Sequence, residues 1–226
     1  MYARSIVTVS GVLLVASTAL TADDGYKVET IGQQPPDAVS EAIRGTVGQT
    51  GLRVLTPGGE TLYDIWLAKA AEAKPAFKPT SSVKYPFPPG TLVGVARVPE
   101  QGGHDFREQV IPGAVYTLRY AQQPQDGNHL GTSAYQDFVA LLPADADEDP
   151  ARLAVSELEE ISKESAKGGT HPGILSLQPP GEDPSKSPQV TKKGDYWVLS
   201  APLGGKAGQE SVQIRLDLVV VGHAVE

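Results

Sequence analysis

The chain contains no cysteine, and Met1 is its only methionine. Thiol nucleophiles, disulfides, cysteine-attached haem, iron–sulfur clusters and soft copper sites are thereby excluded. A metal site would have to be built from His, Asp, Glu and other oxygen donors. Asparagine is nearly absent too. Asn128 stands alone and is followed by His129 and Leu130, so no Asn-x-Ser/Thr acceptor exists. Positive charge is also scarce, with 19 Lys and Arg against 27 Asp and Glu. Lys192-Lys193 is the only adjacent basic pair, and such a chain does not attract phosphate backbones, so nucleic acid is not an expected partner.

Long apolar runs are absent but for one. Residues 6–20 follow Met-Tyr-Ala-Arg-Ser and precede Thr21-Ala22-Asp23-Asp24. A basic start, an apolar stretch of about 15 residues and small residues before an acidic segment form the pattern of a secretory signal. The run is shorter than the roughly 20 apolar residues of a membrane span. Residues 1–22 are therefore expected to be a cleavable signal peptide, with Ala19 and Ala22 as candidate last residues. The exported product would be periplasmic or extracellular, with no membrane span after cleavage. Removal of residues 1–22 takes away Arg4 and no acid, which leaves 18 basic and 27 acidic side chains and a formal charge of −9.

What is present reads as β structure. In the last third, Val212, Ile214, Leu216, Leu218 and Val220 alternate with Gln213, Arg215 and Asp217, the period of a strand with one buried face. Residues 195–201 give its hairpin partner, with the turn expected in 204–209. Strands are also expected at 51–56 and 61–68 around Pro57-Gly58-Gly59-Glu60, and at 91–98, 106–111, 115–121 and 135–142. One helix is expected over about 149–167, with Asp149 as N-cap, Pro150 in the first turn and Gly168-Gly169 at its end. A shorter one is expected at about 37–44. Residues 73–90, 122–133 and 178–189 look irregular, the last as a Pro-rich mobile surface loop. The fold class is mainly β: residues 23–226 as a single antiparallel β-sandwich, with a jelly roll as one form of it, and one or two short helices.

The polar loop 122–133 carries the candidate site. It places Asp126, Asn128 and His129 beside two glycines, with Arg119 and Tyr120 ending the strand before it and Asp137 opening the strand after it. If those strands pair, Arg119, Tyr120, Asp126, Asn128, His129 and Asp137 converge at one sheet edge as a ligand-binding set. Asp126, His129 and Asp137, with His171 from a separate Gly-Gly-Thr-His-Pro-Gly loop, are a candidate divalent-metal set. A purely structural reading has the loop bonded to itself and Arg119 paired with Asp137. No other cofactor is implied, and no residue is singled out as catalytic. Asp145, Asp147 and Asp149 have calcium-loop spacing, but Pro150 stands where that loop needs glycine and Ser156 where it needs Glu. Nucleophile-elbow, Walker, dinucleotide-binding and zinc-helix patterns are all missing. Trp66 and Trp197 lie among alternating apolar neighbours, which favours core packing over a sugar-stacking platform.

The run Val115-Tyr116-Thr117-Leu118-Arg119-Tyr120, then Asp126-Gly127-Asn128-His129-Leu130-Gly131-Thr132-Ser133 and Asp137-Phe138, resembles a motif in a group of uncharacterised exported bacterial proteins. The resemblance spans about residues 90–178. It implies an envelope or secreted setting and brings no catalytic residues with it. The sequence thus points to an exported, non-enzymatic binding or interaction module for a glycan, an envelope protein or a hard metal. The alternatives are a metal-assisted hydrolase centred on the 126–137 loop and a structural envelope or matrix component.

Overall fold

A computed structural model of the chain describes residues 25–123, 135–168 and 171–224. The expected signal peptide, Asp126, Asn128 and His129 lie outside the described residues. Within them the strands are β1 (Lys27–Ile31), β2 (Gly51–Leu55), β3 (Thr61–Leu67), β4 (Ala71–Ala73), β5 (Leu92–Arg97), β6 (Gly103–His104), β7 (Val110–Ile111), β8 (Val115–Gln122), β9 (Asp137–Pro143), β10 (Gly173–Ser176), β11 (Gln189–Lys193), β12 (Tyr196–Ala207) and β13 (Glu210–Val221). The helices are α1 (Glu41–Thr46) and α2 (Val155–Ser162), the latter extended by a 3-10 turn at Lys163–Ser165.

Seven strands form one antiparallel sheet in the order β1-β2-β3-β5-β8-β9-β10, and β11-β12-β13 form a second, to which β4 adds in parallel beside β12. Strands cross the large sheet in chain order, so it is a meander and does not have the Greek-key order of a jelly roll. The main core lies between the layers. Val54, Tyr63, Ile65, Leu118, Tyr120, Val139 and Leu141 of the large sheet share one buried cluster with Leu199, Leu203, Leu216, Leu218 and Val220 of the small one. The two layers are joined at one side, where Leu177, just past β10, bridges to Leu218 of β13.

The outer face of the large sheet is covered as well. Trp66 is fully buried with Val39, Ile43 and Val47 around α1, and its indole N–H donates to the Gln33 carbonyl at 2.8 Å. Beside it Asp64 sits between Arg53 and Arg97, its register partners on β2 and β5, and accepts from both guanidiniums. Charge pairing within a cross-strand row is what allows a buried carboxylate there.

Several expected boundaries move. The long helix begins at Val155, six residues later than Asp149, because the intervening residues have other partners. The Asp149 carboxylate accepts from the Ala151 N–H at 2.8 Å, and Leu153 N–H donates to the Gly90 carbonyl. The short helix is capped by Ser40, whose hydroxyl accepts from Ile43 N–H, and it runs later than 37–44. Residues 106–111 are not one strand. Asp105 accepts from the N–H groups of Arg107 and Gln109 and makes a tight turn, leaving the two-residue β7. The β12–β13 hairpin is longer than expected, with paired strands to Ala207 and Glu210 and its turn at Gly208, which has φ +65°.

Residues 73–90 and 178–189 carry little regular structure, as expected; the first enters the core, and the second stays at the surface. Tyr85 and Phe87 are fully buried and stack 5.8 Å apart. The 178–189 segment is laid against β13, where Arg215 donates to the carbonyls of Lys186 and Ser187. Arg215 and Asp217 are therefore buried, and β13 has two covered faces where its alternation predicts one.

Candidate functional site

The residues expected to converge beside the 122–133 loop are separated by strand alternation. Tyr120 pairs with Val139 and Arg119 with Ala140, so the two side chains leave opposite faces of the large sheet. Tyr120 points inward. Its hydroxyl donates to Asp137, two residues along the same face of β9, and accepts from Gln122 Nε2 at 2.8 Å. The backbone N–H groups of Lys84 and Tyr85 also donate to the Asp137 carboxylate. Burial holds the Asp137 carboxyl above the usual carboxylate range despite these donors, and burial with the nearby Asp137 charge pushes the Tyr120 phenol well up. Buried tyrosines and a carboxylate here pin the loop 80–87 to the core.

Arg119 points outward and is wholly buried. It pairs with Asp147, not with Asp137, and its remaining N–H groups donate to the carbonyls of Gly90, Asp149 and Ala151. Thr117 donates to the same Asp147 carboxylate. The guanidinium therefore clamps the 147–151 segment onto the sheet and presents nothing to a ligand.

The metal set is split as well. Gly173 pairs with Leu141, and Asp137 lies four residues further along β9. Four residues of strand span roughly 13 Å, and His171 lies two residues beyond Gly173 in the opposite direction. Asp137 and His171 cannot meet at one ion. Among the described residues no three His, Cys, Asp or Glu side chains are gathered as metal ligands.

A concave surface lies away from these residues, at an end of the sandwich. Tyr26, Leu62, Tyr63, Leu175, the Val219–Val221 end of β13 and the segment from Gly103 to Glu108 enclose a cleft of about 370 Å3. Its walls are largely aliphatic and aromatic. Its polar groups are His104, Glu108 and His223, with His223 Nδ1 at 3.7 Å from Glu108. Asp105 also borders it, but its carboxylate already accepts from Arg107, Gln109 and Ile174 N–H and from Gln109 Nε2, which fixes the floor. Burial, with the charge of Asp105, holds the Tyr63 phenol well above its usual range, and its hydroxyl reaches the His104 carbonyl at 3.4 Å. Tyr26 packs on Trp197 with ring centroids 5.2 Å apart, and both rings are half-buried. A few polar groups at the mouth of an apolar, aromatic-edged hollow is the usual build of a small-ligand site.

Sequence reasoning passed over this cleft because its residues come from five separate stretches of chain. His104 and His223 were visible as histidines, but nothing in their spacing joins them. The site and fold define a β-sandwich protein with an interlayer cleft. The chain matches no family model, no curated protein and no solved structure. Among the described residues no helix is long and apolar enough to cross a membrane.

Proposed function

We propose that the protein is an exported, non-enzymatic binding module that takes a short glycan at the cleft lined by Tyr26, His104, Glu108 and His223. The observation that carries this reading is the half-buried Tyr26 ring, which packs on Trp197 and lines a cleft whose polar side chains include His104, Glu108 and His223. The apolar face of a sugar ring packs on aromatic rings, while its hydroxyls need such side chains to replace lost water. Export rests on the N-terminal pattern alone. A chain with 19 basic against 27 acidic side chains also fits a neutral ligand better than a polyanion.

Trp197 makes the test direct, because the other tryptophan, Trp66, is sealed in the core. In the Trp66→Phe variant, emission comes from Trp197 alone. Titration with short oligomers of glucose and of N-acetylglucosamine should give a saturable change in that emission, abolished by Tyr26→Ala. No response to any oligomer, with Trp197 still quenchable by acrylamide, would sink the glycan reading.

A further inference from the structure

A second concavity, apart from the cleft, lies between β4, the start of β5 and the clamped segment after Asp149. It measures about 230 Å3 and is lined by Thr46, Ala68, Glu72, Thr91, Ala151 and Arg152, among others. Two opposite charges stand at it. Arg152 Nε is 3.4 Å from Glu72 Oε2, with both side chains half-exposed. This is a loose contact. Among the described residues neither the two terminal nitrogens of Arg152 nor Oε1 of Glu72 has a hydrogen-bond partner. The planar fork that suits a guanidinium to bidentate carboxylate binding is therefore unused. An exposed pair of this kind contributes little to stability, so opening it costs little.

The supports of the two charges are rigid. The Ala151 carbonyl accepts from buried Arg119 at 2.6 Å, Ala151 N–H donates to Asp149, and Leu153 N–H donates to Gly90, so the backbone is held on both sides of Arg152. Glu72 is the middle residue of β4 and is paired with Lys206 of β12. Thr91 lines the same cavity and is 3% exposed, with its hydroxyl turned away from water and unpaired among the described residues.

We infer that this cavity binds a small zwitterion of the free α-amino-acid class, its carboxylate on the Arg152 guanidinium and its ammonium on Glu72. One ion pair is exchanged for two, and no covalent step is involved. In a free amino acid the two charges sit on one α-carbon, a spacing that suits two counter-charges 3.4 Å apart, whereas the termini of a peptide lie further from each other.

The probe is L-alanine, titrated into 15N-labelled protein. Saturable shifts are expected at the amides of Ala70–Glu72, Thr91, Ala151 and Arg152. N-acetyl-L-alanine, which lacks the ammonium, and L-alaninamide, which lacks the carboxylate, should each bind at least tenfold more weakly. Arg152→Gln and Glu72→Gln should each abolish the shifts, and their unchanged spectra elsewhere would show that the fold is intact. No shift with L-alanine, or equal shifts with all three compounds, overturns the inference. The glucan titration is unaffected by either result, because the two sites share no residue.

Discussion

The Arg119 guanidinium meets the Asp147 carboxylate edge to edge, Nε at 2.8 Å and Nη2 at 2.7 Å, with both side chains out of contact with water. The register of β8 on β9 aims Arg119 at the outer face, and the chain after β9 folds back to deliver Asp147 over it. Together they fasten a segment that has neither helix nor strand to hold it.

Removing one partner should therefore cost far more than a surface ion pair would. Asp147→Ala leaves a buried guanidinium without its counter-charge and is expected to lower stability by about 3–5 kcal/mol. Glu72→Ala, on a half-exposed pair, should change it by less than about 1 kcal/mol. Urea unfolding of the two variants checks the contrast, and equal losses would refute the clamp.

Two buried carboxylates should shape the acid limb of the stability curve in opposite senses. Burial holds Asp137 above the usual carboxylate range, so the folded state binds its proton more tightly than the unfolded chain. Its contribution is fully present below the unfolded pKa and is lost as pH rises through the folded one. For Asp64 burial acts upward too, but hydrogen bonds from Arg53 and Arg97 and their charges outweigh it and hold the carboxyl low. Its contribution is present above the unfolded pKa and is lost as pH falls through the folded one. Asp64→Asn should accordingly flatten the loss of stability in acid, and Asp137→Asn should steepen it. Thermal unfolding from pH 3 to 7 separates the two, and parallel profiles would contradict the assignment.

Gly90 sits under the clamped segment with φ +89°, and a Cβ there would lie 2.1 Å from the Leu153 carbonyl oxygen. Gly90→Ala is expected to cost about 2 kcal/mol or more, through strain and the collision together. Gly45→Ala, within α1 and with open space around it, should be neutral or stabilising by up to about 1 kcal/mol. Melting temperatures decide it, at roughly 2–4 °C per kcal/mol for a chain of this size.

The fold class was legible because period-two alternation survives in the sequence wherever a strand has an apolar face toward the core. Residues 51–55, 61–67 and 210–221 show this, and each lies within two residues of where its pattern ends. Position 149 was misleading for a physical reason. An Asp-Pro pair before an apolar stripe suits a helix start, yet the same aspartate side chain can turn the backbone locally, and that is the bond it makes with Ala151. The extended partner of Arg119 was hidden by distance, since nothing local marks Asp147 out from Asp145 or Asp149.

By itself the sequence determined the β class, the lack of sulfur chemistry and the turn positions that glycine and proline impose, because these follow from local sterics and composition. Tertiary structure decided which face each polar residue leaves from, and so dispersed Arg119, Tyr120, Asp137 and His171. It also gathered Tyr26, His104, Glu108 and His223, up to nearly two hundred residues apart, around one cleft. Strand register is set by pairing across the sheet, where a one-residue step exchanges buried for exposed, and no local pattern of polar residues encodes that choice.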